Sequence, residues 1–130
     1  MARIVVDGMN VIGSRPDGWW RDRDAAAWRL VRRLQHAATQ SRDALTLVLD
    51  GRPPPDLAEG EHDGVDVRYA LRRGRDAADD RIVELVAADA NPASLRVVTS
   101  DRNLVDRVTA LGATTEGAGA FLRWLDRLGA

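Results

Sequence analysis

The sequence predicts an α/β fold, a three-layer α/β/α sandwich in which helices cover both faces of a mainly parallel β-sheet. Apolar runs with the length of strands alternate with amphipathic helical stretches along the 130 residues. Several runs are almost continuously apolar, which is typical of parallel strands that are buried on both faces. Because parallel strands need crossover connections, the alternation favours helices on both sides of the sheet.

Length and composition narrow the class of protein. A chain of 130 residues with 45% hydrophobic residues is the size of one domain, so we expect a single domain over residues 1–130. The absence of cysteine excludes disulfides, thiolate catalysis and cysteine zinc sites. No apolar stretch approaches the ~20 residues that span a bilayer, and no signal peptide precedes the first strand. We therefore expect a cytoplasmic protein without a membrane partner.

Three runs have the pattern of buried strands, and an aspartate follows or ends each of them. They are residues 3–6 with Asp7, residues 45–49 with Asp50, and residues 95–100 with Asp101. Residues 65–69 alternate between apolar and polar side chains, which predicts a strand nearer the sheet edge.

Helical periodicity lies between these runs. The predicted apolar stripes are Ala27, Val31, Leu34 and Ala38 in a helix over 24–41; Ala78, Ile82, Leu85 and Val86 in a helix over 77–90; Leu104, Val108 and Leu111, with Gly112 as the stop; and Phe121, Trp124, Leu125 and Leu128. Two segments interrupt the alternation: a loop over 14–23, and a Pro- and acid-rich stretch over 51–64 that we expect to be a mobile surface loop.

The acidic residues at strand ends point to a common site. Ligands of open α/β sheets bind beyond the carboxyl ends of the strands. Asp76 and Asp79 open a predicted helix that begins on the same edge, so four or five carboxylates can converge there. Two like charges ~4 Å apart at an effective dielectric of about 20 repel by roughly 4 kcal/mol, so such a cluster needs a cation. Oxygen-only ligands favour Mg²⁺ or Mn²⁺.

Each aspartate taken alone also has a structural interpretation. Asp-Gly pairs at 7–8 and 50–51 are common in turns, and Asp76 with Asp79 fits a capping box. Asp101 can cap the following helix. For Asp50 the two interpretations are balanced, and Asp80 is expected to be solvated or paired with Arg81 or Arg75. Only the joint placement on one edge favours a site.

Four motifs in order carry a family resemblance. Residues 5–13, Val-Val-Asp-Gly-Met-Asn-Val-Ile-Gly, resemble the opening motif of the NYN domain, in the YacP-like branch of the PIN-like nuclease superfamily. Residues 47–50 lie where that branch has a strand ending in Phe-Asp. Residues 76–82 resemble its Glu-Thr-Ala-Asp-x-x-Ile motif, with Asp in place of the first Glu, and residues 99–101 match its Thr-Ser-Asp motif.

The resemblance implies a PIN-like fold and Mg²⁺- or Mn²⁺-dependent endonucleolytic cleavage of RNA. It makes Asp7, Asp79 and Asp101 the acidic metal site and Asp76 a further ligand or neighbouring carboxylate. Asn10 becomes a polar site residue that orients a ligand, water or phosphate, and Ser100 a lesser neighbour. The residues after Asp50 depart from the family's form, which leaves the role of Asp50 open.

Two segments are candidates for holding RNA. One is the arginine-rich stretch before the acidic helix, and the other is the loop after the first motif, whose tryptophans can stack bases. The candidate residues are Arg72, Arg73 and Arg75, near Arg68, in the first segment, and Arg15, Trp19 and Trp20, with Arg21 and Arg23, in the second. The alternative for the first segment is a solvated turn, and for the second it is a Trp that covers the core or a dimer contact; for at least one Trp we favour that alternative. Trp28 and Trp124 are expected in the core or at its margin.

Two other classes of function compete with the nuclease. One is a non-catalytic RNA-binding module of the same fold. The other is a receiver-type phosphoacceptor, which uses a lysine near its last strand, whereas this chain has no lysine. His36 and His62 adjoin no motif residue and are interpreted as surface residues. The expected partner is RNA; a requirement for the ribosome, and a monomeric or homodimeric state, stay open.

Overall fold

A central β-sheet organises the computed structural model, which describes residues 2–70, 74 and 76–130. Within these residues the sheet has six strands in the order β3-β4-β2-β1-β5-β6. The strands are β1 Arg3–Asp7, β2 Ala44–Leu49, β3 Gly60–His62, β4 Val65–Tyr69, β5 Leu95–Val98 and β6 Thr114–Glu116. All neighbouring pairs are parallel except β3 with β4. The predicted fold class is confirmed.

Helices cover the two faces of this sheet. The α-helices are α1 Gly8–Gly13, α2 Arg23–Ser41, α3 Ala77–Ala88, α4 Arg102–Ala110 and α5 Ala118–Arg127, and single 3₁₀ turns lie at Trp19–Arg21 and Pro92–Ser94. Helices α1, α2 and α5 pack on one face, and α3 and α4 pack on the other. No helix in the described ranges combines the length and apolar character that crossing a bilayer requires.

The central strand β1 is buried on both faces. Ile4 and Val6 pack in the core beneath α2 and α5, while Val5 packs beneath α3 and α4. Burying a side chain of this size stabilises the fold by about 1.5–3 kcal/mol. Since β1 lies between β2 and β5, its last residue, Asp7, is placed at the middle of the sheet edge.

Gly8 lets the chain turn from β1 into α1 at close quarters. A Cβ at this position would lie 2.9 Å from the carbonyl oxygen of Val48 and 2.6 Å from Leu49 Cδ2. The Asp-Gly pair at 7–8 is therefore not a simple turn pair, because Gly8 is the first residue of a helix packed against β2. Gly51 does fit the turn interpretation, with a φ of +79°.

The expectation of a surface loop over 51–64 is correct for residues 51–56, which are mostly exposed and form no helix or strand, and wrong at Leu57 and at strand β3. Leu57 from this segment is fully buried in the core, and its carbonyl accepts a 2.7 Å hydrogen bond from the Tyr69 hydroxyl. Burial, reinforced by nearby carboxylates, raises the pKa of Tyr69 to about 12, so the hydroxyl stays a donor. The segment ends in strand β3, the outer strand of the sheet. A single apolar anchor therefore fixes a stretch whose composition indicated a loop.

The predicted third helical stripe is correct except at its end. Leu104 and Val108 are buried, but α4 ends at Ala110, and Leu111 is 38% exposed. Gly112, with a φ of +99°, ends the helical segment as predicted. The predicted places of Trp28 and Trp124 are also correct, because both are partly buried against the core.

Candidate functional site

The carboxyl ends of β1 and β2 and the first turns of α3 and α4 open onto one cleft of about 260 Å³. Among the described residues, its polar lining consists of Asn10 and five aspartates, which are Asp7, Asp50, Asp76, Asp79 and Asp101. We call this the acidic cleft. It brings together the four acidic residues predicted as ligands, the predicted Asn10 and the undecided Asp50.

Asp7 is the most buried of the five aspartates, with an exposure of 4%. The Thr99 hydroxyl donates a 2.9 Å hydrogen bond to Asp7 Oδ2. Burial raises the pKa of Asp7 to about 6; the hydrogen bond from Thr99 lowers it, and the charge of Asp101 raises it. A carboxylate in this position is held in one orientation and is costly to keep ionised without a cation.

Asp101 combines a structural role with a place in the cleft. Its Oδ1 accepts hydrogen bonds from the backbone N–H groups of Asn103 at 2.9 Å and Leu104 at 3.2 Å, so it caps α4. Its own N–H donates to the Thr99 hydroxyl at 3.1 Å. The capping interpretation is therefore confirmed, and it fixes the carboxylate that lines the cleft.

Asn10 joins α1 to the turn after β5. Its side-chain Oδ1 accepts the Ser100 N–H at 2.8 Å, and the Ser100 hydroxyl accepts the Ala118 N–H at 2.9 Å. Because its oxygen is engaged in this way, the amide offers the cleft hydrogen-bond donors. A ligand held by Asn10 would therefore present an acceptor, such as a phosphate oxygen.

The start of α3 supplies Asp76 and Asp79. The capping-box interpretation is wrong, because within the described part of the chain the Asp76 side chain makes no capping hydrogen bond. Burial raises the pKa of Asp79 to about 6, and the charges of Asp7, Asp101 and Asp76 act in the same direction, while Arg107 opposes them. Two carboxyl groups of the cleft, on different elements, thus resist ionisation.

Asp80, the next residue of α3, does not line the acidic cleft. It accepts a 3.0 Å hydrogen bond from Arg107 of α4, whereas Arg81 lies 3.7 Å from Glu59. Of the three expectations for Asp80, solvation is correct, since its side chain is 45% exposed; the pairing with Arg81 is wrong, and Arg75 lies outside the described residues. The partner is 27 residues distant in sequence, which local spacing does not reveal.

The donor set of the cleft fits a hard divalent cation. Its described polar lining offers carboxylate oxygens and one amide, and neither histidine of the chain contributes to it. Mg²⁺ and Mn²⁺ prefer such ligands. The carboxylates are not preassembled: among the described residues, no three His, Asp or Glu side chains form a group that could hold a metal ion as they stand. Like charges repel, so a cation would have to draw these groups together.

Comparisons with known proteins identify the family. A family model described as the YacP-like NYN domain matches residues 4–129. The chain belongs to the YacP-like NYN family. This family lies in the PIN-like nuclease superfamily. The recognition made from the sequence motifs is confirmed.

Two solved structures show the same fold as this YacP-like NYN domain. One is Rae1 (YacP) from Bacillus subtilis, which is 24% identical with a TM-score of 0.76, over 99% of this chain and 76% of that one. The other is a tryptophan-to-leucine mutant of the same protein, also 24% identical, with a TM-score of 0.78 over 99% and 77%. A search of curated proteins found no significant match.

The predicted RNA-holding residues of this NYN domain fall into different environments. Arg15 donates to Asp126 at 2.8 Å and lines a cavity away from the acidic cleft. Trp19 packs against the core, as expected for one of the pair, and Trp20 is 53% exposed. Their rings meet edge to face at 5.9 Å, so Trp20 offers the free surface. Arg72, Arg73 and Arg75 lie outside the described residues.

Two site neighbours received no role in the sequence analysis: Thr99, which was named only as part of the Thr-Ser-Asp motif, and Arg107, which was not named. Thr99 is 1% exposed and contacts both Asp7 and the Asp101 backbone. For Thr99 a signal was available, because it directly follows β5 and opens the Thr-Ser-Asp motif two residues before Asp101. For Arg107 we find no such signal, since its relation to α3 depends on how the two helices pack.

Proposed function

We propose that this YacP-like NYN domain is a metal-dependent endoribonuclease that hydrolyses RNA phosphodiester bonds in the acidic cleft. One observation carries the proposal: the described lining gathers five aspartates, and no basic side chain accompanies them there. Such a concentration of negative charge is costly to a fold, which favours a role in binding a cation. Membership of a nuclease superfamily supplies the class of reaction.

Asp7, Asp79 and Asp101 would hold Mg²⁺ or Mn²⁺, with Asp76 as a further or neighbouring ligand. A bound ion of this kind activates a water molecule and stabilises the charge that develops on a phosphodiester. The raised pKa values of Asp7 and Asp79 support this assignment, because these two carboxylates gain most from a nearby positive charge.

The remaining residues of the site would position these groups. The Thr99 hydroxyl orients Asp7, and the first N–H groups of α4 fix Asp101. Asn10, held through its oxygen by Ser100, would donate to a phosphate oxygen or to the attacking water. Asp80 holds Arg107 close enough to Asp79 for its charge to act on that carboxylate.

A second candidate is a non-catalytic RNA-binding module with the same fold. The observation in its favour is that the described acids do not form a compact group of three. This candidate requires RNA binding without hydrolysis, so a cleavage assay separates the two.

Incubation of the purified protein with structured and unstructured RNA tests the proposal. The reactions contain Mg²⁺, Mn²⁺ or EDTA, and Asp7→Asn and Asp79→Asn are run in parallel. We expect cleavage only with metal and its loss in both variants. Asp106→Asn, which neutralises an exposed aspartate on α4, is the matched control and should cleave normally.

The possible outcomes have distinct meanings. Cleavage that survives EDTA or both substitutions would overturn the metal site. Metal binding without cleavage of any RNA would favour the binding module. We further propose RNA as the partner, one domain over residues 1–130 and a cytoplasmic location.

A further inference from the structure

A second pocket of about 190 Å³ adjoins the acidic cleft. Met9 and Asp50 line both spaces, so the two are continuous at these residues. The floor of the second pocket is apolar and includes Ala27 of α2 and Leu49 at the end of β2. We call it the side pocket. One part of a bound molecule can therefore lie in the side pocket while another part of the same molecule lies in the acidic cleft.

The outer wall of the side pocket is held in place. It is formed by Pro54 and by Tyr69 at the end of β4. Leu57 is buried, its N–H donates to the Pro54 carbonyl at 3.1 Å, and its carbonyl accepts the Tyr69 hydroxyl. The Tyr69 backbone N–H donates to Glu59 at 3.0 Å. The pocket is therefore built by an anchored segment and does not depend on loop closure.

The rim of the side pocket carries balanced charge. Among the described lining residues, Arg23 and Arg52 face Asp24 and Asp50, and Arg23 Nη2 lies 3.7 Å from Asp50 Oδ1. A phosphate site would show an excess of positive charge. Paired donors and acceptors around an apolar floor suit a neutral, flat heterocycle that has apolar faces and polar edges.

We propose that the side pocket receives one unpaired nucleobase of the RNA strand whose phosphodiester lies in the acidic cleft. This inference rests on the proposed function. The volume is below the ~300 Å³ at which pockets for larger ligands begin, so it admits a single base and no base pair. The arginines donate to base acceptors, and Asp24 accepts from base N–H groups.

The side pocket also accounts for two features that the acidic cleft leaves unexplained. Asp50 is exposed and engaged with Arg23, which suits a base contact better than a metal ligand. The Arg23 guanidinium lies 5.8 Å from the centre of the Trp19 ring, which helps to orient it. A cleft lined by acids repels the phosphates of RNA. A base contact in the neighbouring side pocket would supply binding energy that the cleft does not.

An abasic scan of a cleaved oligoribonucleotide tests this inference. A single base is removed at each position around the cut in turn, and kcat/KM is measured. For the unaltered protein, we expect removal of the base at one position beside the cut to lower kcat/KM about 10-fold, because one base contact is lost. Removal of a base further from the cut should have little effect. The Arg23→Ala, Arg52→Ala double variant should slow cleavage of the intact RNA and lose this dependence on position.

Arg127→Ala is the matched control, because it removes an exposed arginine at the far end of α5. It should keep both the rate and the position dependence. Circular dichroism checks that the variants, whose altered residues are exposed, remain folded.

The result separates the side pocket from the proposed function. Cleavage that is equally sensitive to every abasic position, or to none, overturns the pocket and leaves the nuclease intact. If no RNA is cleaved, the proposed function fails and the same oligonucleotides are compared by fluorescence anisotropy. Equal affinity for the intact strand and every abasic strand would then overturn the pocket as well. If the double substitution lowers kcat/KM by the same factor for the intact strand and for every abasic strand, the result would assign Arg23 and Arg52 to phosphate contacts and not to a base.

Discussion

Asp7 and Asp79 in the acidic cleft and Asp126 on the surface of α5 behave in opposite ways. At Asp126, hydrogen bonds from Arg15 at 2.8 Å and Arg33 at 2.6 Å lower the pKa of the carboxyl group. At Asp7 and Asp79, burial and neighbouring carboxylates raise the pKa to about 6. The same residue type is thus hydrogen-bonded by two arginines at Asp126, whereas at Asp79 the charge of Arg107 only partly offsets burial and the neighbouring carboxylates. Under the proposed function, this clustering of carboxylates lowers stability and provides a place where a cation would bind.

The largest expected effect comes from removing a carboxylate of the cleft. Asp79→Asn should lower kcat/KM for RNA cleavage about 1,000-fold or more, because several kcal/mol of charge stabilisation is lost. Asp126→Asn should leave the rate within about 2-fold, since exposed pairs of this type contribute little. Similar losses in the two variants would break the distinction between the regions.

The second effect concerns stability without a cation. The native pKa of Asp7, about 6, lies above the ordinary value of 3.8, so the native state binds more protons between those values. The free energy of unfolding, measured in EDTA by urea titration, should therefore fall as pH rises from about 4 to above 6. The Asp7→Asn substitution should raise the free energy of unfolding at pH 7 by up to about 3 kcal/mol and make this free energy less dependent on pH. A destabilised Asp7→Asn protein at pH 7 would contradict this account.

A third effect tests how the cleft is supported. Thr99→Val keeps the volume of this buried residue but removes its hydrogen bond to Asp7. We expect the Mg²⁺ or Mn²⁺ concentration needed for half-maximal cleavage to rise about 10- to 100-fold, as for other groups that orient ligands. Thr109→Val on α4, where the hydroxyl bonds only to its own helix in the described structure, is the control and should not change the metal requirement.

The smallest effect belongs to the arginine-paired region. Since the pKa of Asp126 is lowered in the fold, its ionised form stabilises the native state above the ordinary pKa of aspartate, and this contribution is lost as pH falls. Asp126→Asn should therefore lower the melting temperature slightly at neutral pH, and more weakly in high salt. An increase at neutral pH would show that Asp126 resembles the aspartates of the cleft.

Much of the fold was predictable because local patterns carry it. The apolar runs before Asp7, Asp50 and Asp101 match three strands of the sheet, and helical periodicity located α2 and α3 to within two residues. Helix α1, with six residues, and strands β3 and β6, with three residues each, were not predicted, because each is too short to show the period of its own type of element. Leu57 was missed for a related reason, since one apolar residue in a polar segment has no pattern.

The sequence predicted which residues form the candidate site better than it predicted the contacts between them. The common edge follows from parallel strands, so Asp7, Asp79 and Asp101 were expected together. Thr99 and Arg107 depend on side chains from separate elements, and Asp50 depends on where Arg23 of α2 comes to lie. The roles of these three residues are set by contacts across the fold, which spacing in one chain does not contain.

By itself the sequence determined the α/β class, the strands that end in aspartate and the family, because periodicity and ordered motifs are properties of neighbouring residues. Only the tertiary structure decided which carboxylates share the acidic cleft and which are neutralised by arginine. It also decided that Asp50 stands between that cleft and the side pocket. The reason is physical: strand order and helix packing set how deeply each carboxylate is buried and how far it lies from other charges, and these together fix its pKa and its partners.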